Sequence, residues 1–296
     1  MLWHYDLGLK LVYPHALLGQ SDLTKVCVIV NTREQWLEIC EKASQIQGLV
    51  FDGLEFAGIP DEISQFVNLQ YLKYYCAASE SKFFESVPTA IGALAHLKVL
   101  ELKLGTFETL PDEIGNLKQL RALYIGRSNL SRLPDSIGGL SALQELWISD
   151  CKLEALPESI GQLSNLLELK INQNHLKTLP ESVFQLEKLQ SLNLSSNELS
   201  ELPVAIAKLR NLRRLYLNRL PIRVLPVEIF QLTQLEELEL IATQLERLPA
   251  GFSRLTQLKS LNLRGNPDLY LSSELMDLTH KIQLKTGTGP LSLENI

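Results

Sequence analysis

A proline recurs at Pro88, Pro111, Pro134, Pro157, Pro180, Pro203, Pro226 and Pro249, each 23 residues after the last with no insertion between them. The stretch from Leu156, LPESIGQLSNLLELKINQNHLKTL, returns as LPDSIGGLSALQELWISDCKLEAL from Leu133 and as LPESVFQLEKLQSLNLSSNELSEL from Leu179. A strict repeat of roughly 20–50 residues marks an array of stacked units, none of which can bury its apolar face alone. The period therefore constrains the fold more tightly than any single motif.

Within each unit the apolar positions follow an LxxLxL spacing: Leu97, Leu100 and Leu102, then Leu120, Leu123 and Ile125, and so on to Leu258, Leu261 and Leu263. Alternate side chains of a short strand point to opposite faces, so the last two positions of each core face inward and the residue between them faces out. Stacking such strands makes a parallel sheet on one side. The LPxxIGxL half returns the chain along the other, where the fixed φ of proline suits the start of a short helical turn. Pairs such as Ile114 and Leu117 lie three apart and share one face of that turn. Burial stabilises by about 1.5–3 kcal/mol per Leu or Ile, which outweighs ordering only when neighbouring units cover both sides. The array therefore needs caps.

After the core, Asn occurs at Asn174, Asn197 and Asn266, where its amide suits the backbone groups of adjacent coils; the equivalent positions elsewhere are Gly105, Ser128, Cys151, Leu220 and Thr243. Leu220, followed by Pro221, predicts a locally irregular backbone. Pro60 precedes Pro88 by 28 residues, so five extra residues fall within YYCAASESKFFESV, with the insertion assigned to 77–87. Three segments are expected: residues 1–46 as an N-terminal cap, 47–271 as repeats, and 272–296 as a C-terminal helix and tail. In the first, KVCVIV reads as a strand and TREQWLEICEKASQI as a helix with Thr32 as its N-cap. In the last, Ser273 is available to cap a helix carrying Leu275, Leu278 and Ile282 on one face.

By these residues the chain from about Leu49 to Leu271 resembles the leucine-rich repeat family, with a consensus similar to the Ras-group intracellular repeat proteins and to bacterial repeat proteins, including secreted effectors. The resemblance implies an α/β fold: a right-handed leucine-rich repeat solenoid, or horseshoe, with a concave parallel sheet and short helical or 3-10 turns on the convex side. It names no site, because one fold hosts many functions. Bacterial effectors that pair repeats with a ubiquitin ligase carry a separate catalytic domain, and no stretch outside the array is long enough for one.

The formal charge of −6, with both signs interspersed, argues against nucleic acid as a partner, and no apolar run is long enough to span a bilayer. The N-terminal segment lacks a basic n-region and reads as structure, not as a signal peptide. Cys27, Cys40, Cys76 and Cys151 have no metal-binding spacing and read as reduced thiols. TGTGP lacks a phosphate-loop lysine, and Ser195, on an expected exposed strand end, has no histidine on a neighbouring position. Glu145 and Glu168 occupy the same site in consecutive strands but read as solvated charge. No catalytic residue, cofactor or metal is expected.

The outward column runs Glu101, Tyr124, Trp147, Lys170, Asn193, Tyr216, Glu239 and Asn262. Large amphipathic rings on a rigid face are favoured interface anchors, although they also serve to cover neighbouring aliphatic stems. The expected protein-binding face comprises Tyr124, Trp147 and Tyr216 as anchors, with Lys170, Glu168, Arg127, Arg214 and Glu239 supplying charge of both signs; Tyr71 and Tyr75 would extend the stripe. The chain thus reads as a non-catalytic protein-protein interaction module of intracellular or cytoplasmic type, monomeric or weakly self-associating, with secretion as an effector open. The alternatives are the substrate-recognition part of a larger enzyme, such as a ubiquitin ligase, and a purely structural scaffold.

Overall fold

The computed structural model describes residues 27–52, 56, 58–75, 84–270 and 283–286. The N-terminal segment to residue 26, Cys76, most of the 77–87 insertion, the helix expected from Ser273 and the terminal tail lie outside the described residues. Twelve strands form one parallel sheet in chain order. They are Cys27–Val30 (β1), Gly48–Asp52 (β2), Tyr71–Tyr75 (β3), Val99–Lys103 (β4), Ala122–Gly126 (β5) and Glu145–Ser149 (β6), followed by Glu168–Lys170 (β7), Ser191–Asn193 (β8), Arg214–Tyr216 (β9), Glu237–Glu239 (β10), Ser260–Asn262 (β11) and Gln283–Lys285 (β12). The sheet is open, and the architecture is a leucine-rich repeat solenoid. About ten strands follow from the repeats alone; β1 and β12 pair onto the two ends. Gln283 and Leu284 belong to β12 and not to the end of a helix.

The inward positions fill a continuous core. Leu97, Leu100 and Leu102, like Leu189, Leu192 and Leu194 four repeats on, are fully buried. At its N-terminal end this core becomes aromatic. Trp36 from the helix Arg33–Cys40 (α1) stacks on Phe66 at 5.1 Å, and the chain of rings continues through Phe51, Tyr74, Phe84 and Phe107. Thr32 caps α1 in a reciprocal capping box with Gln35.

On the opposite side, eight five-residue 3-10 turns, from Asp61–Gln65 to Val227–Gln231, each follow a proline whose φ lies between −61° and −71°. That proline's carbonyl accepts from the residue three ahead, as in Ile137 N to Pro134 O at 3.0 Å. Pro249 departs from the pattern. Its turn, Phe252–Arg254, starts only after Gly251, whose φ of +123° is open to glycine, and an added Cβ would lie 2.9 Å from the Phe230 ring.

The asparagine ladder is present where the sequence places it. Asn197 donates to Ile171 O at 2.6 Å and Leu194 O at 2.9 Å, and accepts from Leu176 N at 3.0 Å; Asn174 makes the equivalent bonds to Ile148 O and Leu153 N. Before every ladder position stands a left-handed residue: Leu104, Arg127, Asp150, Gln173, Ser196, Arg219 and Ala242 have φ between 51° and 61°, and Gly265 has 74°. The irregular backbone expected at Leu220 is not found. Arg219 has φ 55°, like its counterparts, and Leu220 is buried. The neighbouring Asn218 accepts from Ile241 N at 2.8 Å, and strand bonds to the next coil hold the corner, so an apolar ladder residue costs no change of backbone path. A second series, Asn68, Asn165 and Asn211, donates to Ser44 O, Ser141 O and Glu187 O of the preceding coils at 2.7–2.9 Å.

Candidate functional site

Register places the outward column in line. Glu101 pairs with Tyr124, Tyr124 with Trp147, Trp147 with Lys170, Lys170 with Asn193, Asn193 with Tyr216 and Tyr216 with Glu239. A second column beside it carries Tyr71, Val99, Ala122, Glu145, Glu168, Ser191, Arg214 and Glu237. Parallel pairing puts neighbours on each column about 5 Å apart, so these side chains meet across strands.

The N-terminal part of this face has an apolar cluster of its own, separate from the core. Val50, Tyr71, Val99, Ala122 and Tyr124 are buried together, with Tyr75 and Trp147 packed against them. Tyr124 is therefore only 6% exposed, and the expectation that it is an exposed anchor is corrected. Its ring lies 4.6 Å from that of Trp147, and its hydroxyl donates to Glu145 at 2.5 Å. Tyr71 is likewise buried and donates to Glu101, so the stripe is not extended there by an exposed ring.

Trp147 is half-buried at the edge of the cluster, where charge begins. The Lys170 ammonium sits 3.6 Å from its ring centroid and 2.9 Å from Glu168. Arg214 reaches across two strands to the same Glu168 at 2.7 Å, passing the buried Ser191 that separates them in the column. Two cations thus share one carboxylate. Tyr216 is half-buried and donates to Glu237 at 2.8 Å, while Glu239 accepts from Asn218 at 2.7 Å. Arg127, exposed on the rim, pairs with Asp150 at 3.5 Å.

Glu145 is not the solvated carboxylate that sequence suggests. It is 8% exposed, and burial, together with the Glu168 charge on the next strand, raises its pKa against the opposing pull of the Tyr124 hydrogen bond and Lys170. Burial and then the Glu145 contact push the Tyr124 phenol far above its usual value, and Tyr216 shifts the same way through burial and Glu237. Burial also acts to raise Glu101, but Lys103 at 2.5 Å and Lys73 at 3.3 Å outweigh it and hold that carboxyl below its usual value.

Ser195 is also corrected: it is buried, and its hydroxyl accepts from Asn218 N at 3.1 Å, which makes it a coil-bridging group. Cys151 is a buried free thiol beside the Ser128 hydroxyl at 3.2 Å, and burial raises its pKa. Among the described residues no cluster of three or more His, Cys, Asp or Glu is placed to hold a metal, and no helix is long and apolar enough to cross a membrane. The buried Glu145 and the Lys170–Trp147 contact were legible only as residue types. Side-chain burial on a face that composition marks as solvent-facing has no simple sequence signal.

Residues 60–152 match the model of a leucine-rich repeat region, 142–163 a single leucine-rich repeat, and 164–219 and 210–267 a further leucine-rich repeat model. The chain belongs to the leucine-rich repeat family. Among solved structures it is similar to a leucine-rich repeat protein of Leptospira interrogans, with 26% identity and a TM-score of 0.57 over 88% of this chain and 82% of that one. It is also similar to the leucine-rich repeat domain of the type III effector XopL, with 29% identity and a TM-score of 0.63 over 70% of this chain and 74% of that one. A third is the receptor TLR13, in its complex with ssRNA13, with 25% identity and a TM-score of 0.69; the match covers 87% of this chain but 38% of the receptor. A comparison with curated proteins finds no match.

Proposed function

We propose that this chain is a non-catalytic protein-binding module whose concave face, from Trp147 on β6 to Tyr216 on β9, holds a protein partner. The observation that carries this reading is an aromatic and ion-pair surface on a rigid parallel sheet: Trp147 and Tyr216 half-exposed, Lys170, Glu168 and Arg214 interlinked between them. A preorganised face leaves little ordering to lose on association, and central aromatics supply most of the affinity. Leucine-rich repeat folds serve typically as interaction modules, and the solved neighbours include one in complex with an RNA. A polyanion suits this face poorly, because Glu101, Glu145, Glu168, Glu237 and Glu239 line it and its cations already hold carboxylates. A role as the recognition part of a larger enzyme uses the same face and the same chemistry.

The test is retention of lysate proteins by the wild-type chain and by Trp147→Glu/Tyr216→Glu, with circular dichroism showing both folded. A protein held by the wild type alone supports the reading. Equal retention by both rejects it and directs attention to the convex side and the insertion before Phe84.

A further inference from the structure

We propose that the face of Trp147, flanked by Glu145 and Glu168, is a receptor for a positively charged side chain of the partner, and that Lys170 fills it in the unbound protein. The inference rests on the concave face being the binding surface and adds the chemistry of what binds there.

Lys170 demonstrates that the position takes a cation. Its ammonium lies 3.6 Å from the indole centroid and 2.9 Å from a Glu168 oxygen, which combines ring quadrupole and carboxylate in one site. Yet Glu168 does not need it, because Arg214 holds the same carboxylate at 2.7 Å. Lys170 is a flexible four-carbon chain on the open face and can swing into solvent while Glu168 stays paired.

What then lacks a cation is Glu145. In register beside Glu168, it accepts only the Tyr124 hydroxyl among the hydrogen bonds and ion pairs of the described residues. Burial has already raised its carboxyl, and covering it further beneath a neutral or acidic partner deepens that cost. A guanidinium or ammonium seated on the Trp147 ring offsets it. Two buried polar groups near the site have no hydrogen-bond partner. The Ser191 hydroxyl, between Glu168 and Arg214 in the column, is 1% exposed and has no partner, so it does not tie down the Glu168–Arg214 pair beside it. The Trp147 indole N–H is also unpartnered, so no hydrogen bond holds the ring against a shift when its resident cation is exchanged.

The probe is the tripeptide acetyl-Gly-Arg-Gly-amide, with its citrulline counterpart as a neutral isostere and a Glu counterpart as the opposite charge. Binding is read from the indole N–H resonance of Trp147, identified as the one absent from Trp147→Phe. A saturable shift is expected with the arginine peptide alone. Lys170→Gln should tighten it by about threefold to tenfold, because the ring face is then vacant, and Glu145→Gln should weaken it. An equal response to citrulline, or no saturable response in Lys170→Gln, overturns the proposal. If that happens while Trp147→Glu/Tyr216→Glu still abolishes partner capture, the cation receptor alone is wrong. If arginine binds but Trp147→Glu/Tyr216→Glu leaves capture intact, the concave face is not the partner's site and the proposal falls with it.

Discussion

Strands β2–β6 have five residues each and β7–β11 have three, and the change coincides with two ways of joining coil to coil. In the first region the ladder positions hold Gly105, Ser128 and Cys151, and the convex turns carry Gly92, Gly115, Gly138 and Gly161. An added Cβ at Gly138 would stand 2.6 Å from Ser159 O, so the turns there approach to backbone contact. In the second region Phe184, Ala207 and Phe230 replace those glycines, while Asn174, Asn197 and Asn266 bridge the coils by amide hydrogen bonds. The same solenoid is thus held by close packing of turns at one end, while at the other buried amides bridge the coils at three of five ladder positions, Leu220 and Thr243 being the exceptions. The candidate site straddles the change: Tyr124, Glu145 and Trp147 stand on long strands, and Glu168, Lys170 and Arg214 on short ones.

The comparison breaks most sharply at Asn197. Replacing it by Ala strands Ile171 O and Leu176 N in the core, and a loss of about 3 kcal/mol is expected in denaturant melts. A loss under about 1 kcal/mol would mean that the ladder is dispensable in the second region too. Next comes Gly138→Ala, where the Cβ meets backbone; the expected loss is about 1–3 kcal/mol by the same assay. Little change there would show that the turns can part at no cost.

Smaller effects sharpen the picture. Gln173→Gly, at a left-handed corner with φ 57°, should stabilise by about 0.5–1 kcal/mol, since the relief of strain exceeds the entropy that glycine adds to the unfolded chain. A decrease in melting temperature would refute strain at these corners. Glu145→Gln tests the buried carboxylate through pH. A carboxyl whose pKa is raised on folding binds more protons in the native state, so its ionisation lowers stability as pH rises from the unfolded value through the folded one. Glu101 has the opposite sign, its contribution being lost as pH falls through its lowered pKa. Glu145→Gln should therefore melt higher than wild type at pH 7 and converge with it in acid. The reverse order would place Glu145 in a favourable ion pair.

Much of this was legible because period-2 alternation and a fixed 23-residue step determine which side of the sheet each residue takes. The outward column, the core leucines and the Asn bridges all follow from that local geometry, and the Thr32 cap from the residue pattern at the start of α1. What the repeat pattern does not carry is how outward side chains cover one another. Tyr124 faces outward yet is buried, because Val99, Ala122 and Tyr71 form an apolar cluster on the concave side. Glu145 is covered with it. Leu220 was expected to disturb the chain, but the left-handed corner and Asn218 hold the path without an amide there. The Asn68, Asn165 and Asn211 bridges have no sequence signal, since their positions are filled by His96, Gln119 and Lys188 in other units and show no repeat of type.

The most direct test of the account places a photo-crosslinking residue at Asn193, in the outward column between Lys170 and Tyr216, and separately at Glu181, on the convex turn of the same repeat. Both proteins are irradiated with the lysate that supplies the captured partner. The expected result is an adduct from Asn193 and none from Glu181. An adduct from Glu181 alone would put the partner on the convex side and contradict the claim that the concave face is where this protein binds.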